Sequence, residues 1–262
     1  MEQLNAGALI REWRQRRRLS QLDLALDAEI SQRHLSFIES GRAKPSRGMV
    51  LRLAEQMDVP LRQRNRLLMA AGYAPSFGER ELDDPALKPA LAAVEQVLIG
   101  HEPFPAIAVD KGWNMLKANA SVGPLLESIE DLALLEPPVN VLRLSLHPKG
   151  LAPRIVNLGQ WRTHLLERLR LQIENSGGPG LQALEKELLS YPGPAAAHEP
   201  DAAHNIAVPL RVRMGDQVLS FISTITVFGT PLDVTLSELA IESFFPADTE
   251  TGDYLRQLAT AT

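Results

Sequence analysis

The sequence predicts two folds in succession: an all-α domain of five short helices, then an α+β domain in which an antiparallel sheet is packed with helices. Three observations carry this. Apolar residues recur at helical spacing through residues 1–73, with Ser, Pro and Gly where helices should start and stop. Beyond residue 85, helical spacing gives way to β-branched segments, and Met214-Gly215-Asp216-Gln217 reads as a hairpin turn between two of them. The charge divides at the same place. Residues 1–73 hold 13 Lys and Arg against 8 Asp and Glu, and the rest holds 14 against 24, so the net charge of -5 conceals a basic head and an acidic remainder.

The head can be read helix by helix. Its first helix should run from about Ala6 to Arg18, with Leu9, Ile10 and Trp13 as an apolar stripe and Arg16, Arg17 and Arg18 as a solvated end. Ser20 can cap a helix from Gln21 to about Ala28, with Ala25 small enough for a close crossing and Leu22 and Leu26 facing inward. Ser31 caps the next, about Gln32 to Ser40. Leu35 and Ile38 bury that helix and leave Gln32, Arg33, Ser36 and Phe37 on its outer face. Pro45-Ser46 opens a fourth helix with Met49, Val50, Leu53 and Met57 inward. Pro60 opens a fifth with Leu61, Leu67 and Leu68, closed by Gly72. Residues 74–84 lack periodicity and read as a linker, which sets the domains at 1–73 and 85–262.

In the second domain Leu87, Leu91, Val94, Val97 and Leu98 predict a helix, and Phe104 to Val109 a short strand running to Trp113. Further helices are expected at about 115–127, 160–175 and 178–190, with a break at Ser176-Gly177-Gly178-Pro179-Gly180 and a Pro- and Ala-rich surface excursion at 191–204. Strands should span Ala207 to Arg213, Val218 to Phe228 and Leu239 to Phe245.

Composition excludes several function classes. With 262 residues, 45% hydrophobic and 23% charged, the chain reads as globular; the absence of cysteine removes disulfides and thiolate zinc sites. No signal peptide or apolar run of about 18 residues is visible, so a bacterial-type cytoplasm and no membrane partner are expected. The six histidines are dispersed, and no nucleophile elbow, phosphate loop or dinucleotide fingerprint occurs, so neither catalysis nor a metal or cofactor is expected.

Two short helices across a tight turn form a helix-turn-helix, whose second helix enters the major groove of DNA. Ser20-Gln21, Ala25, Ser31-Gln32-Arg33 and Ile38-Glu39-Ser40-Gly41, in this register, resemble the lambda-repressor-like class of xenobiotic-response-element regulators. One position departs from that pattern: Glu29 stands where such turns usually have Gly, and a left-handed backbone there costs about 1 kcal/mol. Gln32 and Arg33 are the candidates for reading adenine and guanine, with Ser36 beside them. Gln21, Arg42, Lys44 and Arg47 are placed to grip phosphate. Ser31 has two uses, cap or contact. Phe37 also has two, touching a thymine methyl or packing under the fourth helix, and packing is favoured.

Most of the remainder resembles the MmyB-like ligand-binding domain found behind such heads. The resemblance rests on His101 to Pro105, Trp113-Asn114, Pro137 to Pro148, Arg154 to Asn157, Ser223 to Thr226 and Phe228 to Thr235. It implies a PAS-like sensor pocket for a small apolar molecule, fatty-acid-like in part of the family, and a DNA-binding head whose affinity responds; a homodimer on a near-palindromic double-stranded operator is expected because one short recognition helix gives limited specificity. Asn140, Arg143, His147, Arg154 and Asn157 are polar candidates for the pocket, and Arg143 or Arg154 could hold a carboxylate. Each also has a structural reading: Asn140 caps the helix Val141 to Leu146, Arg143 pairs with an acid, and His147 ends the helix. Trp113, Trp161, Phe228 and Phe244 are core residues or pocket walls. The alternatives are a protein-interaction module, or a small-molecule carrier with the head as tether, in which DNA contact is incidental.

Overall fold

The computed structural model describes residues 5–127, 129–176, 179–194 and 207–261, so most of the excursion expected at 191–204 and the centre of the break at 176–180 lie outside the described residues. The chain divides into two units: Met1–Glu81 with Glu174–Gly177 and Thr230–Ser237, and Leu82–Ile173 with Gly178–Gly229 and Glu238–Thr262.

The first unit begins with α1 (Ala6–Arg16), α2 (Gln21–Asp27), α3 (Gln32–Glu39), α4 (Arg47–Gln56) and α5 (Leu61–Ala70). Serine hydroxyls set three of the starts: Ser20 accepts from Asp23 N–H, Ser31 from His34 N–H and Ser46 from Met49 N–H. Ile10, Leu24, Leu35, Ile38, Val50, Leu53, Leu67 and Leu68 fill one core. The inward face of α2 differs from expectation. Leu22 and Leu26 are 50% and 67% exposed, whereas Leu24, Ala25 and Ala28 are buried. A capping box between Ser20 and Asp23 fixes the start of α2 so that its i, i+1, i+4 positions meet the core.

The Arg run after α1 is less solvated than the sequence suggests. Arg17 donates to the carbonyls of Met57 and Asp58, oxygens that the end of α4 leaves without helical partners. Residues 74–81 group with the head, and Asn65 holds part of them by accepting from Ser76 and Phe77 N–H and donating to Phe77 O.

The turn between α2 and α3 is a Schellman motif. Ile30 N–H donates to Ala25 O at 2.9 Å and Glu29 N–H to Leu26 O at 3.1 Å, with Glu29 at φ 55°. Arg18 and Asp58 take the same left-handed position after α1 and α4, so the departure at Glu29 leaves the turn geometry intact. Glu29 is nonetheless strained by its side chain. Glu29→Gly is expected to stabilise the head by about 1 kcal/mol, read as slower hydrogen exchange of the α2 and α3 amides in the full chain; unchanged or faster exchange would contradict the assignment of strain.

The second unit opens with α6 (Lys88–Gly100), after a 3₁₀ turn at Pro85–Leu87, and β1 (Ala106–Val109). Leu87, Val94 and Leu98 are buried as the periodicity predicts, while Val97 is 47% exposed. The helix expected at 115–127 is mostly something else: β2 (Met115–Ala118), a 3₁₀ turn and the single-turn α7 (Gly123–Leu126). Four residues are too few for a period to separate strand from helix, and pairing of Met115, Lys117 and Ala118 with β1 decides the matter. Then come α8 (Val141–Leu146), α9 (Leu158–Ser176), α10 (Pro179–Ser190), β3 (Leu210–Met214) and β4 (Gln217–Val227). The connection onward carries α11 (Val234–Ser237), whose residues belong to the first unit, and β5 (Ala240–Pro246) and α12 (Thr249–Ala261) follow. Helix α12 has no counterpart among the elements expected from the sequence.

The five strands form one antiparallel sheet in the order β2-β1-β5-β4-β3. Strand alternation gives the sheet two uses. Ile107, Val109 and Phe221 join Trp161, Leu165 and Leu169 of α9 in the larger core, while Ala106, Ala108 and Ile241 pack with Val94 and Leu98 of α6. The expected fold class is therefore the observed one: a helical head, then an antiparallel sheet with helices.

Candidate functional site

The outer face of α3 is where the head can meet another molecule. Gln32, Arg33 and His34 are exposed at its start, Ser36 and Phe37 are half-buried one turn on, and Leu35 and Ile38 point into the core. Ser31 acts as the N-cap. Phe37 is half-buried and stands outside the residues that pack on the core of the head, with the Arg33 guanidinium 5.3 Å and that of Arg42 5.8 Å from its ring centre. The half-turn that brings Ile38 to the core leaves Phe37 beside the surface, where its ring can hold both arginines in place. Lys44 lies 5.6 Å from the Tyr73 ring, and Arg47 donates to Ser76 at 2.7 Å.

What fixes α3 is a buried ion pair that the sequence reading did not single out. Arg14 of α1 donates to Glu39 through Nε at 2.6 Å and Nη2 at 2.9 Å, and through Nη1 to Leu19 O. Gln21, expected at phosphate, donates one amide N–H to Glu39 at 2.8 Å, which ties the start of α2 to the end of α3 and leaves its second N–H and its oxygen for other partners. Burial would raise the Glu39 carboxyl, but the donors on Arg14 and Gln21 outweigh it and hold the group below the ordinary carboxylate value of 4.5. The helices also meet backbone to backbone. A Cβ on Gly7 would come within 2.1 Å of Ile38 O, so only glycine permits this approach of α1 to α3. The signals were present as Glu39 in the Ile-Glu-Ser-Gly exit and Arg14 four residues before the Arg18 turn, but pairing across 25 residues has no local signature.

The second unit contains a cavity of about 90 Å³ between the sheet, α8 and α9. Ile107, Met115, Leu126, Val141, Leu142, Leu144, Trp161, Leu165, Phe221 and Phe244 are among its walls, and the polar groups that reach it are Ser145 and Glu242. Of the nine sequence candidates, Trp161 and Phe244 line it. Trp161 is held by an Nε1–H bond to Ser145 Oγ at 3.0 Å.

The other seven are committed elsewhere. Asn140 caps α8 and donates to Gly112 O. Arg143 makes a two-pronged pair with Glu187 at 2.8 Å and 2.8 Å, which lowers the Glu187 carboxyl, and burial with this same acid pushes the Tyr191 phenol up. His147 ends α8 and stands edge-on to Tyr191. Arg154 donates to Arg213 O and Leu125 O, and Asn157 ties Pro209 O to Arg211 N–H, joining β3 to the turn before α9. Trp113, at φ 65°, donates to Gln172 and carries the Arg168 guanidinium 4.3 Å from its ring centre. Phe228 packs with the α6 core instead. Neither Arg143 nor Arg154, the candidates for holding a carboxylate, lines this cavity: Glu187 of α10 engages the first, and the carbonyls of Leu125 and Arg213 engage the second.

Among the described residues no group of three or more His, Asp or Glu could hold a metal, and no helix is long and apolar enough to cross a membrane. Residues 91–258 match the family described as the MmyB-like transcription regulator ligand binding domain, and residues 10–63 match a helix-turn-helix family. No curated protein matches the chain.

Proposed function

We propose, for a chain that belongs to the family of MmyB-like transcription regulators and carries a helix-turn-helix, that it is an operator-binding switch set by a small apolar molecule. The observation that carries this reading is the apolar cavity walled by Trp161, Phe221 and Phe244 in the domain that follows a DNA-binding head. The lining suits an alkyl chain such as the tail of a fatty acid. At about 90 Å³ the space is below the roughly 150 Å³ that accepts a benzene. A long chain therefore requires Met115, Leu125 or Leu126 to move, and that movement is a means by which occupancy can bias the fold. The domain serves as a PAS-like sensor in the cytoplasm.

At the operator, Gln32 and Arg33 read base edges, assisted by Ser36, while Arg42, Lys44 and Arg47 hold phosphates. A homodimer supplies the second recognition helix, since one short helix specifies few bases; a footprint should show two half-sites about one helical turn apart. Native mass spectrometry of the full chain purified without added ligand tests the sensor. A co-purifying apolar molecule whose removal changes DNA affinity is expected. An empty cavity, with DNA affinity constant across alkyl compounds from butyl to decyl, would overturn it.

Phe37 provides a finer check. Its ring holds Arg33 and Arg42, and each exposed cation–π contact contributes about 0.5–1 kcal/mol. Phe37→Leu keeps the apolar volume yet should weaken operator binding by about threefold to tenfold with the head still folded. Unchanged affinity would mean that the ring does not position the arginines.

A further inference from the structure

We infer that the polar end of the ligand is a neutral hydrogen-bond donor, such as a hydroxyl or amide N–H, and that Glu242 selects it. This rests on the proposal above that the cavity is the ligand site. Glu242, on β5 between Ile241 and Ser243, is 4% exposed and is the charged side chain that lines the cavity. Its position is fixed from two sides. Strand pairing sets it opposite Ile107 of β1 and Ile225 of β4, and Arg168 of α9 donates to its Oε1 at 2.9 Å. Arg168 in turn lies against the Trp113 ring and does not line the cavity.

A carboxylate has two oxygens with about four lone-pair directions, and one N–H from Arg168 leaves acceptor capacity. A buried acceptor that meets a donor gains a charge-assisted bond, whereas one that meets only methylenes is left with its desolvation uncompensated. A ligand carboxylate would bring a second anion into the same dry space. Ser145, the other polar group there, accepts from Trp161 and keeps one O–H to donate, but a single neutral donor does not offset a full charge. The chemistry therefore favours a donor and opposes an acid.

Three compounds of matched chain separate the possibilities: 1-octanol as donor, octyl methyl ether as acceptor only, and octanoate as anion, each titrated into the full chain at pH 7.5 by calorimetry. Octanol should bind about tenfold more tightly than the ether, and octanoate most weakly. Glu242→Gln, checked for an unchanged circular dichroism spectrum, should narrow the gap between octanol and octanoate; should that variant not fold, the wild-type series decides alone. Octanoate binding as tightly as octanol would overturn the donor assignment while leaving the cavity reading in place, and so would equal affinity for octanol and the ether. Binding of none of the three would overturn both.

Discussion

Glu39→Ala is expected to destabilise the head by about 3–5 kcal/mol, because it strands the Arg14 guanidinium in the core beside α1 and α3. Arg14 is 9% exposed and Glu39 8%, so neither can turn to water once its partner is gone. The loss should fall on the unit that carries α3, with hydrogen exchange accelerated in α1 to α5 and much less in the β1 to β5 amides. Replacing the pair together, as Arg14→Met with Glu39→Leu, should recover much of the loss, since an apolar pair removes the stranded charge. The same pair predicts acid lability. The folded Glu39 carboxyl titrates below its unfolded counterpart, so its stabilisation is present above about pH 4.5 and is lost as the pH falls through the lower, folded value. Denaturant titrations from pH 7 to 3 measure it, and a slope unaffected by Glu39→Gln would show that another group governs the loss.

Arg33→Ala is expected to weaken operator binding by about 1–3 kcal/mol, roughly tenfold to a hundredfold, and to relax preference at the base it reads. Arg33 is exposed at the start of α3, where a recognition helix meets base edges, and its guanidinium is steadied over Phe37. A phosphate contact behaves differently. Arg42→Ala should weaken all duplexes alike and reduce the salt dependence by about one counterion. Competition binding against single-base operator variants separates the two, and an Arg33→Ala protein with full affinity and unaltered preference would remove Arg33 from the reading face.

The head was largely legible because its instructions are local. Ser20, Ser31 and Ser46 stand where caps are needed, and Leu35 and Ile38 fall three apart on α3. Leu22 and Leu26 misled because a helix of seven residues offers two rival apolar rows, and the choice was made by neighbours distant in sequence. Met115 to Ala118 misled for a similar reason: only β1 makes that segment a strand. The walls of the cavity were the least legible. Arg143 and Arg154 looked suited to a carboxylate as isolated residues, but Glu187 and two backbone carbonyls claim them. Glu242 has no local signature within a strand-forming run, since its place at the cavity is set by the sheet and α9 around it.

Occupancy of the cavity walled by Trp161 and Phe244 is expected to change how the α3 face of the head binds DNA. A duplex enriched by the full chain from a random-sequence pool, then titrated by fluorescence anisotropy at physiological salt with and without saturating 1-octanol, measures it directly. The predicted result is tight binding of the enriched duplex over a scrambled one, with a dissociation constant that shifts by at least about fivefold when octanol is present. Superimposable curves for enriched and scrambled duplexes, unmoved by octanol, would contradict it.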